Sequence, residues 1–201
     1  MKRREITLAK VLPYILLIGG LIGIVCAGAL TLDKIQLLEH PHSQLNCDLN
    51  PIVACGPVIN QPQASAFFRV PNPLIGLVGF ACVATVGGAI LAGARFKRWF
   101  WLGLQAGVTF AVGFVTWLQF ETIFRIHALC PYCMVVWVVT IPIFWYTTLY
   151  NLREGNIKTS ARYKGFVSFL QRHHGDVLIA WFLIIIAVIL KHFWYYWKTV
   201  I

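Results

Sequence analysis

The chain reads Cys130-Pro131-Tyr132-Cys133 immediately before an apolar stretch that runs on to about Tyr150. Two cysteines separated by two residues can close a small disulfide ring, and such pairs often carry depressed thiol pKa values. Here the pair coincides with a helix start. Cys130 reads as the N-cap, Pro131 as the first helical residue and Cys133 as one turn in. Proline suits that first position because the N–H it lacks would have no partner there. The free N–H groups and the positive end of the helix dipole then face both sulfurs and favour thiolate. The stretch predicts a redox-active dithiol at the mouth of a membrane helix, against two inert thiols or a structural disulfide.

Outward from that point the chain is a polytopic membrane protein. Of 201 residues 59% are hydrophobic and 12% charged, and apolar stretches of about 20 residues span a bilayer core. Five spans are predicted: residues 11–32, 73–93, 99–120, 130–150 and a fifth that opens with Asp176 as N-cap. The fifth ends in the aromatic belt Phe193-Trp194-Tyr195-Tyr196-Trp197. The expected fold is an all-α integral membrane bundle in which four helices surround a pocket and the fifth packs at the periphery. Residues 1–150 form the catalytic bundle with an extracytoplasmic loop at 33–71, residues 151–175 a basic connector, and residues 176–201 the last helix. Ala27-Gly28-Ala29 resembles a signal-peptide cleavage site. The apolar run before it is longer than the ~7–15 residues of a signal core, so it is expected to be retained.

The net charge of +10 would suit nucleic acid if it were clustered, but it follows topology instead. Twelve Lys and Arg lie at the N-terminus, in the 94–98 turn and in 151–175, against five on the other side. The positive-inside rule places the N-terminus in the cytoplasm and the C-terminus outside. The 33–71 loop and the mouth of the fourth span then both face the oxidising side, where disulfides persist.

That loop holds Cys47-Asp48-Leu49-Asn50-Pro51-Ile52-Val53-Ala54-Cys55-Gly56-Pro57. Asn50 as N-cap, Pro51 as first helical residue and Gly56 as C′ predict a short helix between the two cysteines. Phe67-Phe68 suggests a segment on the membrane surface. Cys26 and Cys82 lie inside apolar runs and read as small hydrophobes. No histidine spacing suits zinc, and no metal is expected.

Two dithiol pairs on one side of a bundle make an exchange relay, in which a thiolate attacks a disulfide sulfur and passes oxidation along. Cys47/Cys55 on the loop can meet a soluble protein. Cys130/Cys133 at lipid depth cannot, and a lipid-soluble quinone, menaquinone or ubiquinone, suits its reoxidation. A loop-stapling disulfide at Cys47/Cys55 is the competing reading.

The C-D-x-N-P-x-x-x-C loop after the first span, followed by C-P-Y-C opening the fourth, resembles the vitamin K epoxide reductase family in its bacterial form. The resemblance covers roughly residues 10–150. It implies a quinone-dependent oxidase that drives disulfide formation in exported proteins through a thioredoxin-fold, DsbA-like partner in a bacterial plasma membrane. Carried over, it makes Cys133 the cysteine nearest the quinone, Cys130 the one that exchanges with the loop, and Cys47/Cys55 the shuttle. Asn72 matches an asparagine that hydrogen-bonds a quinone carbonyl. Trp137, one turn beyond Cys133, stands where vertebrate enzymes carry a tyrosine, and offers an N–H but no hydroxyl. Some bacterial relatives fuse a thioredoxin domain after the fifth span. This sequence stops at Ile201, so the partner is expected to be a separate protein.

Two other readings are a DsbB-type oxidase and a non-enzymatic subunit with a stapled lid. In the former the C-x-x-C pair precedes the wider pair, the reverse of the order here. A reporter fused after Ile201 should register the extracytoplasmic side, and a cytoplasmic signal would remove the case for five spans in this orientation.

Overall fold

The computed structural model describes Lys2 to Lys198, except His42, Gln44, Asn46, Pro51, residues 66–69, Thr159, Ala161, Tyr163, Tyr195 and Trp197; of residues 2–7 and Lys164 it describes the backbone only. Phe67, Phe68 and part of the expected aromatic belt lie outside the described residues. Five helices are long and apolar enough to cross a membrane, and no strand lies among the described residues. The protein is an all-α membrane protein.

The first helix, α1, runs over Lys2–Glu39 and is longer than its apolar core. A short helix α2 covers Gly56–Ile59, and a 3-10 turn Pro62–Ser65. Then come α3 (Asn72–Leu91), α4 (Arg98–Phe120) with π-helical turns over Glu121–Ile126, and α5 (Pro131–Arg153). A short amphipathic helix α6 (Lys164–Arg172) in the basic connector leads to α7 (His174–His192).

The bundle is built on α1, which packs along α3 on one side and α5 on the other, while α4 packs on α5. Leu12 and Leu16 of α1, Val83 and Val86 of α3, Trp101 and Val108 of α4, and Val139 and Ile143 of α5 form one buried cluster. Small residues set the α1–α3 distance. A methyl group on Gly20 would sit 2.7 Å from the backbone nitrogen of Ala84, and one on Gly87 2.5 Å from that of Leu17. In lipid, helices gain little from burying apolar surface, so close backbone approach through small residues has to supply the contact.

At the cytoplasmic end expected from charge, α4 and α5 are tied by a buried amide network. Asn151, fully buried, donates to the Trp101 carbonyl at 3.3 Å and to Gln105 Oε1 at 3.0 Å. Its own oxygen accepts from Asn156 Nδ2 at 2.9 Å. Buried amides stay only where they are hydrogen-bonded.

The fifth span, α7, begins earlier than Asp176. His173 takes the N-cap position, and its Nδ1 lies 2.8 Å from Asp176 Oδ2 in the first turn. None of the helix's own residues is fully buried, so it is peripheral. Among the contacts that hold it, Trp145 Nε1 donates to the His174 carbonyl at 3.0 Å, and the wholly buried Phe193 beyond its end packs with Val115, Ile123 and Trp137.

Gly20→Ala and Gly87→Ala should each lower stability by about 1–3 kcal/mol, because backbone rather than a flexible side-chain tip blocks the added methyl. Gly28→Ala, with open space around it, should not. Thermal unfolding of the purified protein in one detergent compares the three.

Candidate active site

Four backbone groups bring the loop to the helix mouth. Leu129 N–H donates to the Ile52 carbonyl at 2.7 Å, and Ala54 N–H donates to the Leu129 carbonyl at 3.0 Å. This makes a parallel bridge between Val53 and Leu129. Because the two segments run the same way, the residues that follow, Cys55 and Cys130, arrive together.

The expected helix between Cys47 and Cys55 is not found among the described residues; α2 starts after Cys55 instead. The reason is visible in the side chains. Asn50 does cap N–H groups, accepting from Ile52 at 3.0 Å and Val53 at 2.7 Å, but this closes a turn rather than a helix. Residues 52–54 are then drawn into pairing with Leu129. Asp48 takes the cap of the next element: its Oδ1 accepts from Cys55 N–H at 2.7 Å and Gly56 N–H at 3.0 Å.

Cys47 and Cys55 form a disulfide, with Cα atoms 5.7 Å apart, while Cys130 and Cys133 are free thiols. The Cys130 sulfur lies 3.4 Å from the Cys55 sulfur, and both residues are completely buried. Cys130 is the N-cap of α5, and its sulfur accepts from the Cys133 N–H at 3.4 Å. Its thiol is held below the ordinary value of 9.0, first by the hydrogen bond from the Cys133 side chain and then by the Cys133 and Tyr132 N–H groups, against burial and the charge of Asp33. The negative charge that this helix start can hold therefore sits on Cys130, with the Cys133 thiol donating to it, rather than on both sulfurs.

Cys133 also borders a cavity of about 980 Å³ that runs between α3 and α4. These helices follow each other in the chain but hardly touch, because α3 leans on α1 and α4 on α5. The walls are apolar, with Phe80, Phe100, Phe110 and Phe114 along the length. Polar groups gather near Cys133: Gln63, Asn72, Glu121 and Thr122. Both sequence candidates line this space. Trp137 is 4% exposed. Asn72 Nδ2 donates to the Gln63 carbonyl at 2.7 Å, so one of its roles is to tie the loop to the start of α3. The size and the largely apolar lining suit an elongated apolar ligand with a polar head.

Several residues were not legible as site residues. Glu121 and Arg125 do pair, at 3.3 Å, but unequally: the Glu121 side chain is 4% exposed and that of Arg125 64%. Glu121 faces the cavity and accepts from Gln63 Nε2 at 3.3 Å. Asp33, on α1, places Oδ2 3.5 Å from the Cys47 sulfur. Cys26, read as a plain hydrophobe, is buried within electrostatic reach of Cys130 and Cys133. Its spacing of seven residues from Asp33 puts both on one face of α1, the one available sequence signal. His127 adopts a left-handed conformation, φ 57°, that ends the π-helical turns. Its ring stacks on His192 at 5.1 Å and not on the thiols.

Comparison with known proteins gives one family. The model of the vitamin K epoxide reductase family matches residues 14–148. No curated protein sequence matches the chain. The matched region holds the four helices around the cavity and both cysteine pairs, and the chain belongs to the vitamin K epoxide reductase family, as a multi-pass membrane redox enzyme.

Proposed function

We propose that the protein is a thiol oxidase of a bacterial plasma membrane that takes two electrons from an extracytoplasmic thioredoxin-fold partner and passes them to a quinone, thereby supporting disulfide formation. The observation that carries this reading is the line of sulfurs. Cys55, in the loop disulfide, is 3.4 Å from Cys130, and Cys130 accepts a hydrogen bond from the N–H of Cys133, which borders the cavity. The excess of basic residues in the segments opposite the loop supports the orientation.

In the forward direction the partner's dithiol reduces Cys47–Cys55. The Cys55 thiolate attacks Cys130 of an oxidised Cys130–Cys133 pair, a mixed Cys55–Cys130 disulfide forms and Cys133 leaves. Cys47 then attacks Cys55 and releases Cys130 as thiolate. The helix start stabilises that leaving group; a low leaving-group pKa speeds thiol exchange and makes the pair more oxidising. A bound quinone supplies the acceptor for the two electrons and two protons that the Cys130/Cys133 dithiol loses. Asn72, Gln63, Glu121 and Trp137 would hold its ring end, and the aromatic walls between α3 and α4 exclude water from the thiols.

The test uses the purified protein with a reduced thioredoxin-fold protein and a soluble quinone. Quinone absorbance should fall with the wild type and stay constant with Cys133→Ala. In Cys133→Ala the Cys130 thiolate can still attack Cys55 and release Cys47, but no Cys133 carries the exchange on, so peptide mapping should find Cys55–Cys130 in equilibrium with Cys47–Cys55. Finding Cys47–Cys130 instead would reverse the assignment of the loop cysteines, and finding neither would sink the relay.

Asp48→Ala should act on the same step from a distance. It removes the acceptor for the part-buried Cys55 N–H and the exposed Gly56 N–H, a loss of about 1 kcal/mol. In the Cys133→Ala background it should reduce the trapped Cys55–Cys130 fraction, while Asp48→Asn, which keeps an acceptor oxygen, should restore much of it.

A further inference from the structure

We propose that Asp33 is the proton acceptor and donor for Cys47 in the exchange between the loop pair and Cys130. The proposal rests on the relay described above and assigns to it a group that carries the proton.

Asp33 sits where a carboxylate has no structural use. Leu30 and Leu37, one turn before and after it on the same face of α1, are buried. They form an apolar cluster with Leu45, Cys47, Cys55, Ile59 and Cys130. An apolar residue at position 33 would extend that cluster. Instead Asp33 directs Oδ2 to 3.5 Å from the Cys47 sulfur. Among the described residues no Lys, Arg or His nitrogen lies within ion-pair distance of it. Asp33 is part-buried against that cluster, and its contact with Cys47 rather than with a cation gives it a working role.

The other titratable groups around it are committed elsewhere. Lys34, beside it on α1, donates to the Ile59 carbonyl at 3.2 Å. Asp48 on the loop accepts the Cys55 and Gly56 N–H groups. From α5, Cys130, Tyr132 and Cys133 face the same cluster. Asp33 is thus the group in contact with Cys47 that can exchange a proton with it.

With Cys47 in the disulfide, its sulfur has no proton and the contact is not a hydrogen bond. It becomes one when Cys47 is a thiol. In the mixed Cys55–Cys130 state, Asp33 Oδ2 takes the Cys47 S–H proton as the Cys47 sulfur attacks Cys55. The Cys47–Cys55 bond forms, the Cys55–Cys130 bond breaks, and Cys130 leaves with the electron pair as thiolate. No outside oxidant is needed, since two electrons move from Cys47 to Cys130. The proton on Asp33 passes to water at the half-exposed outer end of α1. When a partner thiol later opens Cys47–Cys55 and Cys47 is released, the same carboxyl group returns a proton. The structure has the arrangement of the product of this step: Cys47 and Cys55 are bonded, Cys130 is still in contact with Cys55, and Asp33 is beside Cys47.

The experiment compares wild type, Asp33→Asn and Asp33→Glu in lipid nanodiscs with a reduced thioredoxin-fold protein and a soluble quinone. Rates are measured across pH, and disulfides are mapped after acid quench. Asp33→Asn keeps the shape but cannot take the proton. It should slow quinone reduction roughly 100-fold near neutral pH, within the range of general acid–base contributions, and accumulate Cys55–Cys130. The deficit should close as pH rises to where the Cys47 thiol ionises unaided, and Asp33→Glu should keep the wild-type pH profile. A deficit constant with pH, a wild-type rate, or no accumulation of Cys55–Cys130 in Asp33→Asn would overturn the role of Asp33. The function itself is tested separately: a wild-type chain that leaves the quinone unreduced refutes the oxidase reading. Exchange between Cys47–Cys55 and Cys55–Cys130 in Cys133→Ala needs no quinone and should still be slowed by Asp33→Asn.

Discussion

Two backbone hydrogen bonds, from Leu129 to Ile52 and from Ala54 to Leu129, fix where the chemistry of this protein takes place. They join the polar loop to the residue immediately before the C-P-Y-C pair. Each is an ordinary amide bond of modest net worth, but its geometry places the Cys55 and Cys130 sulfurs in contact. Everything around the bridge supports it. Asp48 and Asn50 satisfy the N–H groups on the loop side. On the helix side, the left-handed His127 ends the π-helical turns and aims the chain at Leu129.

The thiols are differentiated by position rather than by type. Cys130 caps α5 and receives N–H groups, so it holds charge well, as the proposed relay asks of its leaving group. Cys133, one turn into the helix, borders the apolar cavity. Cys47 and Cys55 occupy an apolar cluster, and Asp33 of α1 lies beside Cys47. A dithiol relay needs such asymmetry, since identical sulfurs would give exchange no direction.

The cavity follows from unequal helix packing. Gly20 and Gly87 let α1 and α3 approach until backbone lies against backbone, while α5 draws α4 to itself through the Asn151 network. Pulled to opposite sides, α3 and α4 leave a gap with aromatic residues in its walls and Cys133 at its border.

What the sequence alone determined is whatever depends on local composition and spacing. The membrane spans follow from apolar runs. The cap at Cys130-Pro131 follows from the missing proline N–H. The two cysteine pairs and the family follow from the C-D-x-N-P-x-x-x-C and C-P-Y-C motifs. Tertiary structure decided what depends on partners far apart in the chain. The segment 52–54 prefers pairing with Leu129 to a helical turn, although Asn50 caps N–H groups as its type predicts. Glu121 stands four residues from Arg125 and pairs with it, yet it is buried in the wall of the cavity while Arg125 remains exposed. Asp33 reads as the first residue of the polar loop, and its meaning depends on Cys47, fourteen residues further along that loop. No local pattern encodes that contact, since it exists only once the loop is bridged to the mouth of α5.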